Sequence, residues 1–512
     1  MNKGTKNKYP PAQTPFYLIE LVEPKSVHFI GVLGIGVSAL AQWFIAQNWA
    51  VSGSDSTLST IYKELKKSGL KAKIGHKKDN IPRRCGLVIY SNAIRPDNPE
   101  IKEALRRNIP VFSYPQALGE LTRFYKTICV SGMHGKSTTT AMAGLMLIKA
   151  GFDPTIIVGT KLKELDGKNF RKGGGDYLVL EADEYKDAFL NYSPAFTITT
   201  NLDREHLDYF KNTEKIKKSF LKFFSRTSKD GALILNRDNE MLHSLKRKID
   251  KASKSNSLKV KWYSLLDKES AKIKKRIKLS GEHNVSNALS VFCLSKFLGI
   301  SEKVFLSSIS EYNGAWRRME YRGEYQVSGI KYHVSENKNR KSSLQDTKYK
   351  IPVYDDYAHH PTEIKATLAA FREKFPKHRI ICVFQPHQSE RLKLLFKEFK
   401  NSFGDADTVI ILPIYKVAGR ELAAISKYDS ESLVKSMQKL KPKRQVFYLK
   451  EPKNIKNALN VLLSDKSLPC PLDKDNVNQR KSSLNRRKSA VVIMMGAGDI
   501  VNYTDSLIKK AK

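Results

Sequence analysis

The stretch from Thr127 to Thr140 leaves few folds open to this chain. Ile128 to Val130 is a short apolar run of the kind that forms a buried strand. Gly132 and Gly135 mark a turn, and Thr138 to Ala150 reads as a helix carrying Met142, Leu145, Met146 and Ile148. Strand, glycine turn and a helix opening on Lys136-Ser137 make a phosphate cradle. The glycines remove Cβ atoms where backbone N–H groups must converge on an anion, and the helix start adds its positive end. Lys136 is placed to reach terminal phosphates and the Ser137 hydroxyl to sit on Mg²⁺. The full eight-residue motif has glycine where Val130 stands, so the match is the shortened form Gly-x-x-Gly-Lys-Ser.

At 512 residues there is room for three or four separate cores. No long uncharged apolar run is present, so no transmembrane segment is expected and no membrane partner is called for. Met1 to Thr14 is polar and no apolar signal core follows it, which points to the cytoplasm. The five cysteines (85, 129, 293, 382, 470) lack metal-ligand spacing, and Cys129 and Cys382 lie in apolar runs where reduced, buried thiols are expected. The net charge of +39 raises a basic nucleic-acid-binding ATPase as an alternative. The lysines are spread along the whole chain and not interleaved with aromatics. A solvated surface whose field draws polyanionic nucleotides explains them, and no nucleic acid is required. A homo-oligomer is left open.

Before the cradle, Val27 to Val32 reads as a strand running into Gly31, Gly34 and Gly36, then a helix from Ser38 to Gln47 and a strand at Ala50 to Ser52. This is a βαβ opening of the dinucleotide-binding type, but with glycine order G-x-x-G-x-G. A nucleotide diphosphate other than NAD suits it, with Ser54 or Asp55 near the ribose or base. A nucleotide-dependent oxidoreductase would account for this domain alone. Leu87 to Tyr90, then Ser91 and Asn92, then Val111 to Ser113 extend a parallel α/β domain ending near Thr122.

After the cradle, the strand Tyr177 to Leu180 delivers Glu181-Ala182-Asp183-Glu184 at its carboxyl end, where ligands sit in open α/β sheets. The strand Ala195 to Thr200 likewise delivers Asn201, Asp203 and His206. Two strand ends bearing acids and an imidazole beside one cradle point to a bound cation. His283, Asn284 and Asn287 open a helix, where they read either as contacts to a base edge or as caps. Further on, Ser335 to Lys350 reads as an exposed hairpin or loop. Val353 to Pro361, Ile380 to Phe384 with Gln385-Pro386-His387, Thr408 to Leu412, and Ala490 to Met494 with Gly496 to Ile500 continue the alternation of β and α. Lys466 to Lys488 has the composition of a disordered insertion. Arg-Lys-Ser-Ser-Leu occurs at both 340–344 and 480–484 without any architectural period.

These markers, in this order, resemble the Mur ligases: His28 to Gly36, Gly132 to Thr138, Glu181 to Glu184, Asn201 with Asp203 and His206, His283-Asn284 with Asn287, Arg317-Arg318, Asp355 to Thr362, Phe384 to His387, and Gly496 to Ile500. The likeness covers roughly residues 27–330 and 351–505. It implies an α/β fold in three domains: a UDP-sugar-binding Rossmann-like domain (22–122), a central P-loop ATPase domain (123–322) and a Rossmann-like amino-acid-binding domain (323–512). It also implies an ATP-dependent amide ligase of peptidoglycan precursor synthesis. That enzyme would join L-alanine to the carboxylate of UDP-N-acetylmuramate through an acyl phosphate, with ATP and Mg²⁺. The rival within the family is a recycling ligase that adds a preformed murein tripeptide, which Glu184-Tyr185 would suit. Phe384 to His387 favours alanine.

By this resemblance Lys136, Glu181 and His206 would be catalytic, and Ser137, Glu181 and His206 would hold metal. Gly132, Met133, His134, Gly135, Lys136, Ser137 and Thr138 would bind ATP phosphates. His283, Asn284 and Asn287 would face adenine, and Arg317, Arg318 and Asp356 would also serve the nucleotide. Gly31, Gly34, Gly36, Ser54, Asp55, Ser91 and Asn92 would bind the UDP-sugar, and Tyr357, His359, His387 and Arg391 the amino acid. Closure of the domains would assemble the site. The chain departs from the family at Met133 and Ser137, where threonine is usual, and at Gln388, where arginine often partners the amino-acid carboxylate.

Overall fold

The computed structural model describes residues 22–58, 61–327, 331–334, 343–346, 349–416, 427–440, 444–464 and 490–508. The segment from Met1 to Thr14, the insertion from Lys466 to Lys488, Cys470 and the second Arg-Lys-Ser-Ser-Leu lie outside the described residues.

The fold is α/β, in three domains built on three largely parallel sheets. The first sheet comprises β1 (Ser26–Ile30), β2 (Ala50–Asp55), β3 (Lys71–Ile74), β4 (Leu87–Tyr90) and β5 (Val111–Ser113), in the order β3-β2-β1-β4-β5 with every pair parallel. β1 and β4 are buried along their whole length, as strands of a parallel sheet covered on both faces are, and β1 does so with the polar Ser26 and His28 in its run.

The second sheet holds β6 (Lys126–Ser131), β7 (Thr155–Leu162), β8 (Lys168–Arg171), β9 (Tyr177–Glu181), β10 (Phe196–Thr199), β11 (Ala232–Asn236) and β12 (Lys259–Tyr263). Its order is β12-β11-β10-β6-β9-β7-β8, with only β7–β8 antiparallel. β6 is therefore central, and the cradle opens from its carboxyl end between β9 and β10. At the edge, Lys259 and Lys261 of β12 are exposed, and such charges guard an open ladder against unwanted pairing.

These two domains form one compact unit, residues 1–278 and 284–315. Phe29, Trp43 and Phe44 belong to the same buried cluster as Leu178, Leu180, Phe189, Phe220 and Phe223. The helix Ile35–Ala46 packs on β7 and β8. Its Gln42 donates to Asn169 Oδ1 at 3.1 Å, and Lys172 Nζ donates to the Ala46 carbonyl at 2.9 Å.

The third domain lies in the other unit, residues 279–283 and 316–512. Its main sheet runs β13-β16-β20-β17-β18-β19, from β13 (Glu320–Val327), β16 (Tyr349–Asp356), β17 (Arg379–Phe384), β18 (Thr408–Ile411), β19 (Gln445–Tyr448) and β20 (Ala490–Met495). Only β13–β16 is antiparallel. Between them β14 (Lys331–Val334) and β15 (Ser343–Asp346) pair antiparallel, and residues 335–342 lie outside the described set. Apolar clusters cover both faces of the main sheet.

Among the described residues no helix is long and apolar enough to cross a membrane. Cys85, Cys129, Cys293 and Cys382 are free and buried. Glu120 is a liability of the first unit. It is buried, its Oε2 lacks a hydrogen bond, and burial raises its carboxyl to about 7 against the nearby Arg123. A folded-state value above the ordinary 4.5 means that stability falls as pH rises through that interval. Glu120→Gln is expected to raise Tm by a few degrees at pH 8 and not at pH 4, read by thermal melts.

Candidate active site

The cradle loop needs its glycines. Gly132 (φ +122°) and Gly135 (φ +84°) lie in the region that side chains rarely adopt. A Cβ at Gly132 would stand 2.3 Å from Thr200 Oγ1, and one at Gly135 2.6 Å from Asn287 Oδ1. The end of β10 braces the loop. Asn201 Oδ1 accepts from His134 N at 2.9 Å, while the Thr200 hydroxyl and Asn201 Nδ2 donate to the His134 carbonyl at 2.6 and 2.9 Å. His134 Nε2 lies 3.0 Å from Asp203 Oδ2. Met133 sits in the apolar core, and Thr138 is buried in the first turn of the helix Lys136–Lys149.

Two neighbouring carboxylates organise the charges. The Ser137 hydroxyl donates to Glu181 Oε1 at 3.1 Å, and Gly159 N donates to Glu181 Oε2 at 2.8 Å. Lys136 Nζ donates to the Gly132 carbonyl at 2.6 Å and to Glu184 Oε2 at 2.9 Å. Glu184 is fully buried, and its Oε1 lies 3.3 Å from His206 Nε2. His206 thus joins the cradle through Glu184, to which the sequence reading gave no role at the phosphates. Burial would pull the Lys136 ammonium down, but Glu184, with Asp183 and Glu181, pushes it up to about 12. Burial disfavours the Glu184 carboxylate, yet Lys136 and His206 hold it below the ordinary range. His206 is raised, Glu184 outweighing its burial. Ligand atoms of Asp183, Glu184 and His206 lie within 4.8 Å of one another. Hard carboxylate oxygens with the Ser137 hydroxyl and one imidazole form a donor set that fits a divalent cation.

In the first domain, the turn after β1 brings the expected residues together unevenly. A Cβ on Gly31 (φ +82°) would touch Ser91 Cβ at 2.9 Å, so these two lie side by side, with half-buried Asn92 following. Gly34 leads into the helix Ile35–Ala46, and a Cβ on Gly36 would meet the Tyr114 hydroxyl at 3.0 Å. Asp55 Oδ2 accepts from Leu33 N at 2.8 Å and so steadies the turn. Ser54 does not stand there. It is buried, and its hydroxyl donates to Glu100 Oε2 at 2.7 Å beside His28 Nε2 at 2.9 Å. Strand alternation accounts for the difference: adjacent residues of β2 face opposite ways.

In the third domain, Tyr357, His359, His387 and Arg391 form one group. The His359 and His387 rings are 5.6 Å apart, Tyr357 and His359 5.3 Å, and Arg391 reaches His387 Nδ1 at 3.1 Å. Tyr415, which sequence reasoning missed, stacks on His387 at 5.6 Å and 9°. Its signal was its place just past the carboxyl end of β18. Gln388 sits at φ +68°, its N–H held by the Tyr415 carbonyl at 3.0 Å. Arg317 and Arg318 each lie 5.1 Å from the Tyr357 ring centre. Arg317 is buried and donates to the Gly496 and Gly498 carbonyls, whereas Arg318 stands 3.7 Å from Glu363 and is more open. Asp356 is buried and accepts from Met319 N and Ala358 N, both at 2.8 Å. His283 groups with this unit, where burial and Arg318 lower it to about 4, so the imidazole is neutral. Asn284 and Asn287 group with the cradle.

Family models match almost in series along the chain. The Mur ligase family catalytic domain matches residues 26–126, the Mur ligase middle domain 130–295 and the Mur ligase glutamate ligase domain 342–468. The UDP-N-acetylmuramate--L-alanine ligase of Aquifex aeolicus is 38% identical over 417 residues, covering 78% of this chain and 86% of that protein. The chain belongs to the Mur ligase family. The UDP-N-acetylmuramate--L-alanine ligase of Desulforapulum autotrophicum is 33% identical over 498 residues, covering 94% of this Mur ligase and 98% of its relative. In fold, the crystal structure of the UDP-N-acetylmuramate-alanine ligase of Thermotoga maritima is similar with a TM-score of 0.68 at 24% identity. It covers 94% of this chain and 98% of that one. A murein peptide ligase from Psychrobacter arcticus shares the fold at a TM-score of 0.61 and 20% identity, with 94% and 98% covered.

Proposed function

We propose that this Mur ligase uses ATP to join L-alanine to the carboxylate of UDP-N-acetylmuramate, a step of peptidoglycan precursor synthesis. The observation that carries this reading is the near full-length identity to relatives bearing that activity in their names. The cradle supplies chemistry that fits it. A carboxylate is a poor electrophile at neutral pH. Transfer of the γ-phosphoryl group gives an acyl phosphate, whose carbonyl the alanine amine attacks; the tetrahedral intermediate then expels phosphate. Such catalysis is mainly positioning and charge neutralisation.

Lys136 serves the β- and γ-phosphates, and its hydrogen bonds to the Gly132 carbonyl and Glu184 are those an incoming phosphate would replace. The loop from Gly132 to Thr138 binds ATP phosphates through its N–H groups, His283, Asn284 and Asn287 serve the adenine, Arg318 serves the phosphates, and Asp356 serves the nucleotide. Ser137, Glu181 and His206, with Glu184 beside them, would hold Mg²⁺, which supplies charge neutralisation at the phosphates. Gly31, Gly34, Gly36, Asp55, Ser91 and Asn92 bind the UDP-sugar. Tyr357, His359, His387 and Arg391, joined by Tyr415, bind the amino acid. Substrates of this kind, ATP and a sugar nucleotide, support a cytoplasmic reaction.

Phosphate release by the purified protein with ATP and UDP-N-acetylmuramate tests the reading across alanine, serine, glycine and a murein tripeptide. Release is expected with alanine. Release without the sugar nucleotide, or with tripeptide alone, overturns it.

A further inference from the structure

The segments that deliver Glu184 and His206 are tied to each other by side chains outside the cradle. Lys186 and Asp187 lie in the left-handed region at φ 54° and 58°, and His206 does so at φ 53°. None is glycine, so each conformation persists only where its surroundings over-determine it. The surroundings do. Asp187 Oδ2 accepts from the Tyr209 hydroxyl at 2.5 Å, and Oδ1 accepts from the Ser219 hydroxyl. The Tyr185 hydroxyl donates to Asp208 Oδ2 at 2.9 Å. The Tyr185 ring lies 4.8 Å from the His206 ring and 6.2 Å from that of Tyr209. Behind the turn, Phe189 stacks on Phe223 at 4.3 Å, and Phe223 shares the helix Thr213–Phe224 with Ser219.

We propose that Tyr185, Asp187 and Tyr209 are positioning residues: their cross-ties lock two strained segments in one register so that Glu184 and His206 face each other across a cation site. The inference rests on the ligase reading for the role of His206. Four links join the segments: Glu184 to His206, Tyr185 to Asp208, Asp187 to Tyr209, and the Tyr185 ring against the imidazole. The strain supplies the reason for so many. A tie that served stability alone would be poorly placed at Tyr209, which is 37% exposed.

The test compares full-length wild type with Tyr209→Phe, Tyr185→Phe and Asp187→Asn. The probe is Mn²⁺ titrated in the presence of ADP, with free Mn²⁺ read by electron paramagnetic resonance. Loss of an outer partner of a metal ligand weakens metal binding about 10–100-fold. Each variant is expected to bind Mn²⁺ about tenfold more weakly than wild type. The half-saturating Mg²⁺ for phosphate release should rise in step, with turnover recovering at high Mg²⁺ and Tm shifting by no more than about 2 °C. Unchanged Mn²⁺ affinity in all three variants overturns the inference, as does a loss that merely follows a falling Tm, or a wild type that takes up no Mn²⁺ with ADP. A wild type that binds Mn²⁺ with ADP but ligates no alanine overturns the ligase reading alone, and the Mn²⁺ titration still decides this one.

Discussion

Lys136→Met is expected to lower phosphate release by about 10³-fold or more, which corresponds to roughly 4 kcal/mol of lost transition-state stabilisation. No neighbour replaces the lost charge: the other groups converging on this point are the carboxylates of Glu181, Asp183 and Glu184. The same change should also destabilise the fold. Glu184 is completely buried, and Lys136 is its ammonium partner at 2.9 Å. Removing one partner of a buried pair costs about 3–5 kcal/mol when the other charge is left alone, and the cost here is smaller because His206 Nε2 still stands 3.3 Å from Glu184 Oε1. The folded Glu184 carboxyl lies below the ordinary 4.5. Its stabilising contribution is therefore present above 4.5 and lost as pH falls through the lower, folded-state value. The stability gap between wild type and Lys136→Met should be widest near neutral pH and narrow in acid. Adding Glu184→Gln removes the stranded charge, and it should return stability without returning activity. Urea unfolding at pH 7 and pH 4, beside a phosphate-release assay, reads all three results. A Lys136→Met protein that kept a tenth of wild-type activity would sink the assignment of this lysine to the phosphates.

Gly135→Ala is expected to lower turnover about 100-fold while leaving most of the fold intact. Two effects add. A left-handed conformation costs an alanine about 1–2 kcal/mol, and the new Cβ would stand 2.6 Å from Asn287 Oδ1. The loop or the buried Asn287 side chain must shift, and where the loop gives, the N–H groups and Lys136 move with it, which matters because misplacement by about 1 Å can cost 10²-fold. Gly151→Ala is the control. It has nearly the same φ, +81°, with nothing within 4 Å of its Cβ. It carries the backbone penalty without the clash, so it should lower Tm slightly and leave turnover near wild type. Equal turnover in the two variants would show that the loop tolerates displacement.

The cradle was legible because its signals are local. A β-branched run, two glycines and a helix-period apolar set sit within a few dozen atoms of chain, and each obeys its own short-range rule. The buried parallel strands β1, β4, β6 and β17 were visible for the same reason. β8, Lys-Asn-Phe-Arg, was not. Phe170 alone of those four residues favours a strand, and the segment becomes one because β7 offers it a ladder.

The side chains around the cradle divide along the same line. Residue chemistry named Lys136 and Ser137 and pointed to the acids of 181–184 and to the strand end bearing His206, and the family resemblance then singled out Glu181 and His206. Which acid meets Lys136 depended on how the chain turns after β9. The three residues after β9 carry Glu184 to a lysine 48 positions earlier in the chain. Ser54 and Asp55 were equivalent on paper, and the pleat of β2 sent one inward to Glu100 and the other to the glycine turn. Tyr415 acquired its place only when β18 was laid beside β17, which carries His387 at its end. Short-range sterics and hydrogen bonding write their requirements into neighbouring residues. Contacts between distant segments arise from packing, and no local period encodes them.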